Sequence, residues 1–490
     1  MRKSGVLMSV TSLPSDYGIG CFDEQAYKFV DDLKAAGQKY WQVLPFGHTS
    51  YGDSPYQSFS TFAGNPYFIS LKDLIKEGLI TEEDCEAAEM VGHEEYVDYE
   101  RIYNGRYKVL RKAFDNADLD NDEEYKTFIE ENKEWVLDYG LFMAIKDKYD
   151  GAGFSEWDEE IRLRRPVMLQ KTKEACKETT KFYCYLQYLF FKQWAKLKTY
   201  ANENGIEIIG DIPIYVAYDS ADVWTNKELF QLDEENLPIK VAGCPPDAFT
   251  ELGQLWGNPL YNWEVHKQTG YKWWKDRIRA CFKMYDVVRI DHFRGFDEYY
   301  TIPYGDEDAR GGSWEKGPGM DLFHALKAEF GDMNIIAEDL GFLTDSVRDL
   351  LKETGYPGMK ILMFGFYAGS TNEYVPYNHV ANSVVYTGTH DNETTYGWYN
   401  SLTGDNKNMV DTYLSCEDGK DVNWKMIKAA MGSVAETCIT PMQDILGLDN
   451  AGRMNTPSTV GDNWKWRMKK DAFDEELVNK LKNVTEVFGR

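Results

Sequence analysis

The sequence has no long hydrophobic run, no paired cysteine motif and little positive charge, and each absence removes a class of function. Its apolar stretches are strand-sized, well short of the about 20 residues a helix needs to cross a bilayer. The opening MRKSGVLMSVTSLPS carries two basic residues, but its apolar run GVLMSV is too short for a secretion signal. The eight cysteines (Cys21, Cys85, Cys176, Cys184, Cys244, Cys281, Cys416 and Cys438) are scattered, with no C-x-x-C and no Cys/His set at zinc spacing. The expectation is reduced thiols, a cytoplasmic location and no metal or other cofactor. No G-x-G-x-x-G or P-loop pattern supports a nucleotide site. Lys and Arg number 54 against 81 Asp and Glu, a net charge of −27. That charge repels phosphate backbones and anionic lipid, so neither nucleic acid nor membrane is an expected partner.

What is present is a recurring pattern. A chain of 490 residues can bury a large core, as two or three ordinary domains or as one barrel with insertions. Eight short apolar or β-branched runs occur: GVLMSV near the start, YWQVLPF at 40–46, IEIIGDIPIYV at 206–216, VVRIDHF at 287–293, NIIAEDL at 334–340, MKILMFGF at 359–366, SVVYTGTHD at 383–391 and TCITPMQDIL at 437–446. Segments of helical spacing separate several of them, such as 321–332 and 344–355, each closing on glycine or Gly-Asp. Strand then helix, repeated eight times, predicts an α/β fold, a (β/α)8 TIM barrel spanning 1–490. Two stretches are too long for simple connections. Residues 67–203 read as a mainly helical insertion between strands 2 and 3, and 217–275 as an insertion with a substrate-covering loop between strands 3 and 4. The charge-dense 82–100 stretch reads as a solvated helical face. After the eighth run comes helical DAFDEELVNKLKNVTEVF, so no C-terminal β-sandwich is expected.

The strand ends carry the chemistry. In VVRIDHFRG, alternation puts Arg289 and Asp291 on one side and Ile290 and His292 on the other. A structural ion pair and a carboxylate held ready as a nucleophile both account for this strand. In a barrel of this kind catalytic groups lie at the C-terminal strand ends, and those ends supply Asp211, Asp291, Glu338 and Asp391, the last beside His390. Four acids at one mouth, with aromatics and no metal cluster, suit glycosidic bond cleavage, in which one carboxylate attacks and a second, kept protonated, assists the leaving oxygen.

At these residues the sequence resembles the 4-alpha-glucanotransferases called amylomaltases or disproportionating enzymes, glycoside hydrolase family 77, barrel enzymes related to the alpha-amylases. The resemblance rests on VTSLPSDYGIG, SPYQSFSTFAGNPYFISL, GDIPIYVAYDSADVW, PPDAFTELGQLWGNPLYNW, VVRIDHFRG, IIAEDLG, GYPGMKILMF, VVYTGTHDNET and MNTPSTVGDNWKWR, in order along the chain. It implies Asp291 as nucleophile, Glu338 as general acid/base and Asp391 as the acid that holds and distorts the reacting sugar. It further implies Arg289 beside the nucleophile, Asp211, His292 and His390 against that ring, and Tyr56, Asp247, Phe249, Trp256, Asn258 and Phe364 at neighbouring sugar subsites. The implied partners are alpha-1,4-glucan and maltooligosaccharide donors and glucose or maltooligosaccharide acceptors, with the protein a monomer or homodimer. The implied reaction is a retaining double displacement through a covalent glycosyl-enzyme. The alternatives are an amylase-type hydrolase, a branching enzyme or a non-catalytic glucan-binding protein.

Overall fold

Each of the eight apolar runs forms a strand. The computed structural model describes every residue except 1, 51, 247–249, 342, 368–371 and 417. Its strands are β1 (Lys3–Leu7), β2 (Tyr40–Gln42), β3 (Glu207–Ile212), β4 (Lys240–Cys244), β5 (Gln254–Pro259), β6 (Val287–Ile290), β7 (Glu298–Pro303), β8 (Ser313–Lys316), β9 (Ile335–Ala337), β10 (Gly358–Ile361), β11 (Ser383–Tyr386) and β12 (Thr437–Pro441). Eight of them pair in parallel in the order β10-β11-β12-β1-β2-β3-β6-β9. The two outer strands of that order meet, since the Ala337 N–H donates to the Pro357 carbonyl at 3.0 Å and the Met359 N–H to Asp339 Oδ1 at 2.6 Å. The fold is the expected α/β barrel.

Val288 and Ile290 on β6 are buried outward against helices. The barrel interior instead takes polar side chains: Gln42, Asp211, Arg289 and Tyr386 are all nearly or wholly buried. The Tyr386 hydroxyl donates to Gln42 Oε1 at 2.9 Å, so this interior layer satisfies itself. Between β2 and β3 the longest helices are Glu123–Lys148, capped by Asp122, and Lys177–Glu203. The second one lays its aromatic side on the barrel. Phe190 and Trp194 join Phe22, Phe46 and Phe68 in a ring cluster with centroids 4.7 to 6.4 Å apart, and the Trp194 Nε1–H donates to the Met284 carbonyl at 3.0 Å.

Strands β4, β5, β7 and β8 form a separate antiparallel sheet in the order β5-β4-β7-β8. Its members flank β6 in sequence, so they stand beside the C-terminal mouth of the barrel. Two local expectations are corrected. The strands stop earlier than the apolar runs: β6 ends at Ile290, and the run from 359 turns into a 3-10 helix, Leu362–Phe366. The acidic 82–100 stretch is helical over Glu82–Ala87 and not again until the helix Tyr99–Asn116 begins at its end. Glu89 then takes φ +50°, a left-handed conformation that breaks the helix.

The position before Asp211 admits only hydrogen. A Cβ on Gly210 would fall 2.2 Å from the ring of the buried Tyr285. Gly210→Ala is therefore expected to cost about 1–3 kcal/mol through overpacking, read as a lower denaturation midpoint at unchanged slope.

Candidate active site

Asp211 and Arg289 are register partners across β3 and β6, and neighbours in a parallel pair face the same way. The guanidinium meets the carboxylate directly, with Arg289 Nη1 2.7 Å from each Asp211 oxygen. Its Nη2 donates to Asp291 Oδ1 at 3.0 Å and its Nε to the Met359 sulfur at 3.3 Å. One cation thus serves two aspartates. Asp211 is fully buried and Arg289 is 3 % exposed, so neither charge has water as an alternative partner.

From Asp211 the network continues to the next acid. The Tyr56 hydroxyl donates to Asp211 Oδ2 at 2.8 Å and lies 2.9 Å from His390 Nε2. A phenol has one proton, so with that proton on Asp211 the His390 Nε2 carries the hydrogen between them. The two rings stack at 5.3 Å and 20°. His390 Nε2 is also 3.5 Å from Asp391 Oδ2. Asp391 Oδ1 accepts from Asn455 Nδ2 at 2.6 Å, and its backbone carbonyl accepts from Arg453 Nη2 at 2.8 Å.

Alternation predicts His292 on the far side from Asp291, and the structure overturns this. His292 has φ +52°, which ends the strand geometry and turns its ring into the cleft, edge-on to Trp256 at 4.8 Å. The same turn aims its N–H at Glu338 Oε2, 2.7 Å away, while the Leu340 N–H donates to Oε1 at 2.9 Å.

Burial dominates the acidities. It pushes Glu338 up to about 8, reinforced by the neighbouring Asp291 charge and opposed by Arg289 and the two backbone donors. Asp291 is pushed up to about 6, by burial first, against the pull of Arg289. Arg289 alone would depress the Asp291 carboxyl, but burial outweighs it, and the neighbouring Asp211 and Asp391 charges add to the rise. The Asp291 side chain is 31 % exposed to the cleft, so solvent moderates that rise. The order stands: Asp291 ionises before Glu338. His292 is pushed down to about 3 by burial and by Arg294, so its ring is neutral at ordinary pH.

An open cleft of about 950 Å³ is lined by Tyr56, Trp256, Asn258, Asp291, His292, His390 and Asp391 from the sequence-based set. Asp211 and Arg289 form the layer beneath it. Glu338 joins through the His292 turn. Phe364 packs edge-on against Tyr374 at 5.6 Å and is not among these lining residues. Asp247 and Phe249 fall outside the described residues. The residue-by-residue reading left out Gln57, Tyr215, Gln254, Asn455, Pro457, Ser458 and Trp464, which also line the cleft. Asn455 and Trp464 lie in MNTPSTVGDNWKWR, a motif to which the sequence reading assigned no role. Positive φ at Ser458, Gly461 and Trp464 folds that segment over the site, and the Trp464 ring comes within 5.8 Å of Tyr56 and 5.9 Å of His390.

Acids gathered at the strand ends of a parallel barrel, with aromatic walls and a guanidinium below, define a barrel enzyme that works on glycosidic bonds. The comparisons narrow this. The family model described as 4-alpha-glucanotransferase matches residues 8–472. A 4-alpha-glucanotransferase from Clostridium butyricum is 49% identical over 486 residues, 99% of this chain and 100% of its own length. An amylomaltase from Streptococcus agalactiae, solved in complex with acarbose, superposes with a TM-score of 0.97 at 43% identity, covering 100% of both chains. The Corynebacterium glutamicum amylomaltase shares the fold, at TM-score 0.80 and 18% identity over 99% of this chain and 75% of its own. The chain belongs to the 4-alpha-glucanotransferase family, and its activity is that of the family.

Breaking the buried pair leaves one charge stranded. Arg289→Leu is expected to destabilise the fold by about 3–5 kcal/mol because Asp211 loses the only cation paired with it among the described residues. Adding Asp211→Asn to that variant recovers part of the loss in a denaturant titration, whereas a structural role confined to Arg289 packing leaves the double variant no better.

Proposed function

We propose that the enzyme disproportionates alpha-1,4-glucans by a retaining double displacement, with Asp291 as nucleophile and Glu338 as general acid and then base. The carrying observation is the contrast between two carboxyl groups on the adjacent strands β6 and β9. One is tied to a guanidinium, while the other, with no ion-pair partner among the described residues, is half-buried and held protonated up to about 8. In the first step the Asp291 carboxylate bonds to the anomeric carbon, the glycosidic bond breaks, and the Glu338 proton passes to the departing O4. In the second, Glu338 takes the proton of an acceptor 4-OH as that oxygen attacks the anomeric carbon and Asp291 departs. Two inversions give net retention. Asp391, fixed by Asn455 and near His390, grips the sugar in the first subsite, with Tyr56 and Trp256 as apolar surfaces against the chain.

Glucose and maltooligosaccharides serve as acceptors in this reading, and donors are maltooligosaccharides or longer starch and glycogen chains. The acarbose complex of the Streptococcus agalactiae amylomaltase supports a carbohydrate ligand for this fold. Eight free cysteines support a reducing, cytoplasmic setting. Transfer outcompetes hydrolysis only if the acceptor is held in line while water is not, and such positioning reaches effective molarities on the order of 10⁵ M or more.

Incubation with maltotriose tests this. The expected result is a ladder of longer chains plus glucose at constant reducing ends, with alpha configuration in the first products. Reducing ends that rise as fast as donor disappears identify a hydrolase instead. Tyr56→Ala is expected to slow transfer more than hydrolysis, and Phe249→Ala likewise.

The pH profile is a second check. Asp291 must be ionised and Glu338 protonated, so kcat/KM is expected to fall below about 6 as Asp291 gains a proton and above about 8 as Glu338 loses one. In Glu338→Gln the alkaline limb disappears; its persistence assigns that limb to another group.

A further inference from the structure

The barrel has a weak seam, and it lies beside the general acid. Strand β9 is only three residues long and pairs by a ladder with β6 alone. Toward β10, a single backbone bond crosses between these strands among the described residues, from the Ala337 N–H to the Pro357 carbonyl. A side chain takes the place of the missing rung. Asp339 Oδ1 accepts the Met359 N–H at 2.6 Å, and Asp339 is 5 % exposed. Room for it exists because residue 358 is glycine: a Cβ there would lie 2.3 Å from Asp339 Oδ2.

Both ends of this rung lead to the chemistry. Asp339 is the peptide neighbour of Glu338. Met359, whose N–H it holds, offers its sulfur to Arg289 Nε at 3.3 Å, and Arg289 in turn holds Asp291 at 3.0 Å. A shift of the seam therefore moves the two reacting carboxyl groups relative to each other, through Glu338 on one side and Arg289 on the other.

We propose that Asp339 is a positioning residue for the transfer reaction, a side-chain rung that locks β9 to β10 and so fixes Glu338 against the Arg289–Asp291 pair. It touches no substrate. The proposal rests on the assignment of Glu338 as general acid, and its consequences differ from those of a residue that serves only folding. Misplacement on the order of 1 Å costs about 10²-fold when a reaction depends on alignment. The loss should fall on the step that needs the proton. Asp339→Ala is therefore expected to lower kcat on maltotriose by roughly 10- to 100-fold with little change in KM. In the first-turnover release of fluoride from alpha-glucosyl fluoride, whose leaving group departs without protonation, the loss should be much smaller. Asp339→Asn keeps an oxygen acceptor for the Met359 N–H, so it should restore most of the activity. Gly358→Ala, which crowds the same carboxylate, should reproduce the Asp339→Ala pattern in a chain that keeps the acid. Met359→Leu, with similar volume and no acceptor for Arg289, should instead depress both donors alike, because it loosens Asp291.

Glu338→Gln is assayed on the same two donors. If Glu338→Gln shows no rescue by the fluoride, the general-acid assignment fails and the positioning role falls with it. If Glu338→Gln is rescued while folded Asp339→Ala loses equally on both donors, or loses nothing, the positioning role alone is overturned.

Discussion

The site depends on one buried cation shared by two aspartates. Arg289 cannot shed its charge and, at 3 % exposure, has no solvent to turn to. It must stay with Asp211 and Asp291, and those two acids must stay where it can reach them. Because Asp211 and Arg289 are register partners on adjacent strands, the pair also fixes how β3 and β6 line up at their C-terminal ends. Such a pair is weak evidence for stability, since its Coulomb gain offsets a large desolvation cost. Its value is in geometry. It sets where Asp291 stands, and through Tyr56 it sets where His390 and Asp391 stand.

Much of this was legible in the sequence, and the reasons divide cleanly. The eight strands were readable because buried strands are short and rich in apolar and β-branched residues even where the barrel interior takes a polar one, which leaves runs such as VVRI and SVVY in the text. The acids were readable because a charge after such a run has few explanations. What could not be read was anything set by a single dihedral angle. Period-2 alternation assigns His292 to the wrong side, since nothing in the letters DHF announces φ +52°. The helical reading of 82–100 failed for a similar reason at Glu89. Likewise, Asn455 and Trp464 reach the site through a turn with three positive-φ residues, and their contacts to Asp391, Tyr56 and His390 span more than 60 residues of chain. Spacing arguments have no purchase at that separation.

The acidities show the same limit in energetic form. A sequence places Arg289 near Asp291 and so suggests a depressed carboxyl, but the sign depends on what else is near. In the structure Asp211 takes the closer share of the guanidinium, and burial decides the direction for both reacting acids. Burial is the largest cause of the rise on both, and the Asp291 charge adds to it on Glu338. Each acid thereby sets the other's role: the one with the cation ionises first, and its charge then keeps the second protonated.

That coupling has a consequence for the transition state. Four carboxyl groups, Asp211, Asp291, Glu338 and Asp391, gather at the mouth, and Arg289 forms ion pairs with two of them, Asp211 and Asp291. With a neutral sugar this excess of acid is unfavourable, and the neighbouring carboxylate charges add to the rise that burial gives the pKa values of Asp291 and Glu338. As the glycosidic bond breaks, positive charge develops at the anomeric carbon, and the surplus negative field has something to stabilise. The surroundings are already arranged, because the network runs through strands and a stacked ring pair and needs no reorganisation at the moment of reaction. A site that matched its charges one to one would be more comfortable at rest and less able to favour the cationic transition state over the neutral ground state, which is the only difference that accelerates the chemistry.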